Sequence, residues 1–203
     1  MAESGLQYWR TRLSKVLGAL ALIIIVLSES AWERDSSLVA SLLFLAGCTL
    51  AAIGSLGRLW CSLYIAGYKT EQLITAGPYS ITRNPLYFFS FLGALGVGLA
   101  SETLVIPAVI LVAFAVYYPA VIRAEEKSLN KIHGEKLAEY IRNTPKFFPQ
   151  MSLLKEPEEY VVRPVKFRRH ISSALWFIWL IGILEVIEGF HESGLFDPMF
   201  SIF

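Results

Sequence analysis

Three stretches of this chain carry no charged residue at all: 22 residues from 36 to 57, 18 from 84 to 101 and 20 from 103 to 122. A transmembrane helix needs about 20 mostly apolar residues. Inside lipid every backbone N–H and C=O must find its partner within the helix or a closed barrel, so runs of this length have few other ways to fold. Two shorter apolar runs accompany them. One is Val16 to Ser28, extendable to Leu13 if Lys15 snorkels to the interface, and the other is Ile171 to Leu184, extendable past Glu185 to about Gly189. The expectation is an all-α polytopic membrane protein with about five transmembrane helices, forming a single membrane domain over 1–203. Composition agrees, because 17% charged residues against 55% hydrophobic ones falls below the roughly 25% charge of soluble domains. A soluble enzyme is thereby excluded, and the abundance of Leu, Ile, Val and Phe excludes a disordered chain. The net charge of +1 points to no nucleic-acid partner. Cys48 and Cys61 lie in apolar stretches and read as buried thiols, too few for a disulfide framework or a four-ligand zinc site.

The basic residues test the span count, since cytoplasmic loops carry the excess of Lys and Arg. Five spans put Arg10, Arg12 and Lys15 before the first, Arg58, Lys69 and Arg83 after the second, and eleven more, Arg123 through Arg169, between the fourth and fifth. Only Arg34 falls on the other side, so seventeen of the eighteen share one face. Dropping either weak span would scatter these clusters over opposite faces. The N-terminus is therefore expected in the cytoplasm and the C-terminus on the opposite face. The first run is read as a retained helix, because Ser28-Glu29-Ser30-Ala31-Trp32 makes a poor signal cleavage site.

The third and fourth spans are separated by little more than Ser101-Glu102-Thr103, which requires a tight helical hairpin over about 85–122. Pro85 and Pro107 each fit a first turn, where a missing N–H costs little. The two feet of the hairpin return to the same surface, bringing Arg83 and Tyr87 near Arg123, Glu125 and Glu126. An amphipathic helix over about 123–143 is expected to follow along the cytoplasmic face, with Leu129, Ile132, Leu137, Tyr140 and Ile141 at helical spacing. Glu125 and Glu126 point about 100° apart on such a helix. His133-Gly134 reads as a helix irregularity rather than a metal ligand, and no metal site is read from the sequence. Thr144-Pro145-Lys146-Phe147-Phe148-Pro149 stops the helix and tucks two phenylalanines toward the interface. Trp60, Tyr64 and Tyr68 recur every four residues as an aromatic belt, residues 150–170 form a basic cytoplasmic linker, and 171–190 is the final span. Glu185 and Glu188 share a face near the outer end of that span, within reach of headgroup water.

No glycine-rich phosphate loop, Gly-x-Ser-x-Gly elbow or internal repeat is present. The order Leu56-Gly57-Arg58-x-Trp60, Leu73-x-x-x-Gly77-Pro78-Tyr79-x-x-x-Arg83-Asn84-Pro85-x-Tyr87, Glu125-Glu126-x-x-Leu129-x-x-x-His133-Gly134-Glu135-x-x-x-x-Tyr140 and Pro145-x-Phe147-x-Pro149 resembles the isoprenylcysteine carboxyl methyltransferase and phospholipid methyltransferase superfamily. The resemblance covers about half the chain and delimits a cofactor-binding core at 56–149. It implies methyl transfer from S-adenosylmethionine to a lipophilic acceptor that enters from the bilayer, with the site facing the cytoplasm. It further implies a cofactor site among Leu73, Gly77, Tyr79, Arg83, Asn84, Pro85, Tyr87, Glu125 and Glu126, of which Arg83 and Glu126 are the candidate catalytic pair. Arg83 would take the cofactor carboxylate, Glu125 or Glu126 its ammonium or ribose, and Tyr79 or Tyr87 would hydrogen-bond or stack. Three positions depart from the family pattern: Asn84 replaces a histidine, Phe89 a small residue, and Glu71 the histidine that prenylcysteine enzymes place six residues before the turn glycine. Two alternatives stay open at this point. One is an NADPH-dependent membrane reductase of the sterol-reductase kind, for which Arg123 and Lys127 are the only basic pair on offer near the pocket. The other is a non-enzymatic membrane scaffold.

Overall fold

The computed structural model describes residues 23–24, 26–68 and 72–203. The chain is mostly helical, and among the described residues three helices are long and apolar enough to cross a membrane, with a shorter apolar one beside them. Most of the first expected span, Val16 to Ser28, lies outside the described residues, as do Lys69 and Glu71. In order, the described elements are β1 (Ser28–Ser30), α1 (Ala31–Asp35), α2 (Ser37–Ile65), α3 (Pro78–Ile81), α4 (Pro85–Ala100), α5 (Val105–Asn143), a 3-10 turn (Met151–Leu153), α6 (Pro164–Ala174), α7 (Trp176–Glu192) and β2 (Phe200–Ile202).

Helices α2 and α4 form the centre of the molecule, and small residues decide how closely they approach. A Cβ placed on Gly47 would stand 2.4 Å from the Ala100 nitrogen, one on Gly54 2.5 Å from the Gly93 nitrogen, and one on Gly96 2.4 Å from the Ala51 nitrogen. The two backbones are therefore in direct contact along Gly47, Ala51 and Gly54 on one side and Gly93, Gly96 and Ala100 on the other. In lipid this is how helices associate: apolar side chains gain little by leaving one apolar medium for another, so close van der Waals approach carries the packing. At 16 residues α4 rises about 24 Å, shorter than the ~30 Å hydrocarbon core.

The hairpin forms as expected, with Pro85 in the first turn of α4, Pro107 in the first turn of α5, and Ser101–Leu104 as the connection. The amphipathic segment is not a separate helix. It continues α5 as far as Gly134, whose non-helical φ of 48° and ψ of −119° kink the axis, and helix resumes beyond it to Asn143. Phe147 turns inward against Phe88 and Phe91, whereas Phe148 is 74% exposed, so one phenylalanine of the expected pair is tucked in.

At the far end of the bundle two short strands pair in parallel, Ser28–Ser30 with Phe200–Ile202. The Ser30 hydroxyl donates to the Glu102 carbonyl at 2.8 Å, and the Val105 N–H donates to the Phe203 carbonyl at 3.1 Å. The chain tail is thus stitched to the start of the bundle and to the hairpin tip. No strand was expected in an all-α chain, and three-residue segments some 170 positions apart leave no periodicity to read. Glu33, Glu188 and Glu192 meet at this end, their carboxylate oxygens within 4.8 Å of one another.

Gly54→Val would force α2 and α4 apart. Overpacking of this kind costs about 1–3 kcal/mol, and the substitution is expected to lower the melting temperature in detergent. Gly182→Ala, where a Cβ meets nothing within 4 Å, should leave it unchanged.

Candidate functional site

The turn entering α4 is built around a glycine that has no substitute. Gly77 has φ 58°, and a Cβ there would sit 2.3 Å from the Tyr64 ring. Its N–H donates to the Lys155 carbonyl at 2.8 Å, and its carbonyl accepts the Ser80 hydroxyl at 2.7 Å. From this turn Pro78–Ile81 makes one buried helical turn, and Thr82, fully buried, donates its hydroxyl to the Phe147 carbonyl at 3.0 Å. The Arg83 N–H donates to the Pro145 carbonyl at 2.9 Å, the Gln150 N–H to the Ile81 carbonyl at 2.9 Å, and the Asn84 amide to the Lys146 carbonyl at 2.8 Å. Residues 145–155 therefore run alongside 77–84 as a strap that satisfies its backbone. A buried loop requires such pairing.

Once held, this segment faces the foot of α5 across a cavity of about 100 Å³. Of the nine residues expected in a cofactor site, Leu73, Tyr79, Arg83, Asn84, Pro85, Tyr87, Glu125 and Glu126 line the cavity, whereas Gly77 shapes the turn behind it. Both adjacent glutamates are engaged. Glu126 approaches Arg83 with 3.0 Å between Oε1 and Nη1, and Glu125 accepts from the Tyr87 hydroxyl at 2.8 Å. Their 100° separation on the helix is matched by Arg83 and Tyr87, four residues apart on the facing segment. The Arg83 and Glu126 side chains are only 12% and 24% exposed, so the pair sits in a medium where charge–charge interactions are stronger than at the surface.

The cavity wall also holds polar atoms that nothing satisfies. The Tyr79 hydroxyl and Arg83 Nε are buried without a hydrogen-bond partner, whereas Glu126 Oε1 has its ion pair with Arg83. An unpaired buried polar group costs about 1–3 kcal/mol, so two around one cavity mark a place for a polar ligand. Burial also pushes the Tyr79 hydroxyl well above the ordinary tyrosine range, with smaller contributions from Cys61, Tyr140 and Glu125. Tyr79 is accordingly a neutral donor. Tyr140 donates to the Tyr79 carbonyl at 2.6 Å and fixes α5 against the turn. The volume lies below the ~300 Å³ of a typical small-molecule site, so a ligand of cofactor size would extend past the cavity mouth.

Residues absent from the sequence expectation complete the cavity: Ile65, Gln72, Ile74 and Leu86 on one wall, with Leu129, Leu137, Tyr140 and Ile141 on the other. The last four were legible as one face of an amphipathic helix, and that face turns to the cavity rather than to lipid. Arg123 and Lys127 are exposed and do not line it, and the Arg123 Nε donates to the Pro119 carbonyl at 3.0 Å. The aromatic belt reading is corrected. Trp60 and Tyr64 both donate to Glu156, at 3.1 and 3.3 Å, and Tyr68 donates to the Val161 carbonyl at 3.1 Å. The Arg163 guanidinium lies 4.5 Å from the Tyr68 ring centroid and donates to the Gly67 carbonyl. These rings hold the 156–163 segment. Phe89 packs on Gly57 and edge-on to Trp60 at the α2–α4 interface.

Comparison with known proteins follows the same lines as the geometry. Residues 36–136 match the phospholipid methyltransferase family. The cobalt-zinc-cadmium resistance protein CzcN of Cupriavidus metallidurans is 40% identical over 194 residues, covering 96% of this chain and 86% of that protein. The nickel-cobalt-cadmium resistance protein NccN of Alcaligenes xylosoxydans xylosoxydans is 35% identical over 186 residues, covering 92% and 86%. No solved structure matches the chain. The chain belongs to the phospholipid methyltransferase family, within the isoprenylcysteine carboxyl methyltransferase-like superfamily.

Gly77→Ala tests the turn directly. A left-handed residue bearing a Cβ costs about 1–2 kcal/mol before the overlap with Tyr64 is counted, so the variant should melt lower than the parent. Gly134→Ala is also strained by its φ but meets nothing within 4 Å, and should lower the melting point less.

Proposed function

We propose that this membrane protein transfers a methyl group from S-adenosylmethionine to a lipophilic acceptor entering from the bilayer, at a site on the cytoplasmic face. The observation that carries the reading is the cavity where Arg83, Glu125, Glu126, Tyr79 and Tyr87 converge, with the Tyr79 hydroxyl and Arg83 Nε left unsatisfied. Members of this family use S-adenosylmethionine in general, and the donor set suits that group. A guanidinium matches a carboxylate, two carboxylates match an ammonium and a pair of ribose hydroxyls, and tyrosine faces favour a neighbouring cation. When bound, the cofactor supplies an electrophilic methyl group on a sulfonium.

What the chain's own residues contribute is alignment and exclusion of water. Methyl transfer is an in-line displacement, and holding two reactants in line supplies much of the acceleration without a dedicated acid or base. Arg83 and Glu126 constrain one another in their ion pair, and Tyr87 fixes the Glu125 carboxylate. Leu129, Leu137 and Ile141 give the cavity an apolar wall. An acceptor amine or thiol must lose a proton, and one of the two cavity glutamates would take it; a carboxylate acceptor needs no base. The excess of basic residues in the loops at this end supports the cytoplasmic placement. Both relatives are named for resistance to cobalt and cadmium, and we place the proposed methylation in the same cellular role.

Calorimetry with S-adenosylhomocysteine on the detergent-purified protein tests the reading, with NADPH titrated in parallel. Saturable binding is expected, weakened at least about tenfold, or ~1.4 kcal/mol, in Arg83→Ala and in Glu126→Ala while both remain folded. Wild-type affinity in both variants would remove them from the site. Binding of NADPH instead would indicate a reductase, and binding of neither would favour a scaffold.

A further inference from the structure

A second polar site lies on the opposite face of α4 from the strap, where α2 meets the junction of α6 and α7. Arg58 points out of α2 between two serines, donating through Nη1 to Ser90 on α4 and through Nη2 to Ser173 at 2.8 Å. Its guanidinium carbon stands 5.7 Å from the centre of the Phe177 ring. That ring is itself seated on the bare backbone of Gly93, which fixes the floor of the site. A hollow of about 470 Å³ is lined by Arg58, Ser172, Ser173, Trp176 and Phe177. Ser172, Ser173 and Trp176 are exposed, so the hollow opens sideways on the outer surface of the bundle.

The charge in this hollow is not balanced. Among the described residues no carboxylate forms an ion pair with Arg58, and its Nε is buried without a hydrogen-bond partner. The 29 residues of α2 rise about 43 Å against a hydrocarbon core of ~30 Å. Arg58 stands seven residues from the end of that helix. With α2 centred on the bilayer, its backbone lies about 4 Å inside the hydrocarbon edge. A cation at that depth is costly unless it is paired, and two serine hydroxyls donate or accept hydrogen bonds without supplying negative charge. The described residues supply no anion for this guanidinium, and the hollow's open, outward side is a route by which one can reach it.

We propose that Arg58, with Ser173 and the rings of Trp176 and Phe177, forms a subsite for the anionic head group, carboxylate or phosphate, of an amphiphile that enters laterally from the bilayer. The rings take the first part of its chain and the guanidinium takes its charge. Ser90 is one helical turn along α4 from Tyr87, so the subsite is about 4.5 Å deeper along the same helix than the cavity's tyrosine. On the methyl-transfer reading, on which this second step rests, the amphiphile is the acceptor and Arg58 is a positioning residue that sets how far it enters.

The test is retention of matched lipids by the detergent-purified protein, read by native mass spectrometry: oleate against oleyl alcohol, and phosphatidic acid against diacylglycerol. Within each pair the chains are the same and only the anion differs. The wild type should retain at least one anionic member about tenfold better than its neutral counterpart, and the pair that discriminates identifies the head group. Arg58→Gln should abolish the preference, Arg58→Lys should keep part of it, and Ser173→Ala, a change at an exposed hydroxyl, should reduce it several-fold. Equal retention of charged and neutral members by the wild type would overturn the proposal. So would a preference that survives Arg58→Gln, or displacement of phosphatidic acid by equimolar inorganic phosphate. S-adenosylhomocysteine calorimetry on the same samples separates the two readings. Unchanged cofactor affinity in Arg58→Gln with the lipid preference lost supports an acceptor subsite. A lipid preference in a wild type that binds no S-adenosylhomocysteine upholds the lipid site while the methyl-transfer reading falls.

Discussion

Direct backbone contact between α2 and α4 is the constraint on which the other features depend. Lipid offers helices no hydrophobic reward for associating, so they must approach closely enough for dispersion to hold them. Gly47, Ala51 and Gly54 against Gly93, Gly96 and Ala100 permit that approach. With α4 pressed on α2, its first turn lands beside the end of α2, so that Ile65 and Tyr87 line one cavity. Ser90 comes within hydrogen-bonding reach of Arg58 for the same reason. A bulkier seam would widen both sites at once.

The membrane-facing bundle supplies rigidity, and the polar chain outside it supplies pairing. Residues 76–84 make a turn too irregular to satisfy its own backbone, and 145–155 run beside it to do so. Glu156, Tyr160 and Arg163 then fasten the next stretch to the aromatic face of α2. The segment that composition marks as a basic linker buttresses the turn behind the site. Its charges divide accordingly: Arg163 is spent on a carbonyl and a ring, while Lys166, Arg168 and Arg169 sit on α6, the helix leading into the final span.

How much of this was legible depends on the range of the signal. Uncharged runs and loop charges revealed the alternating helices, and the alternation is visible in the structure, where the ends of α4 and α7 meet the residues before α2. The order of Arg83, Tyr87 and the Glu125-Glu126 pair carried the site, because a hairpin must bring its two feet together. The small-residue seam was present as Gly and Ala at spacings of three and four, a signal that passes unnoticed inside an apolar run. Trp60, Tyr64 and Tyr68 were misread for the opposite reason. Their periodicity is real, but periodicity says that a face is shared and not what covers it.

The sequence by itself determined an all-helical membrane architecture, the hairpin, the break at Gly134 and the cluster of residues at the hairpin's feet. Each follows from hydropathy, charge or backbone freedom within a few turns of chain. Only the tertiary structure decided that both glutamates are engaged, that a strap from beyond α5 completes the turn, that the tail returns to pair with Ser28–Ser30, and that Arg58 meets two serines and no carboxylate among the described residues. These are relations between residues far apart in sequence, fixed by how closely helices approach. That distance is set by where side chains are missing, which no local pattern of apolar and polar residues records.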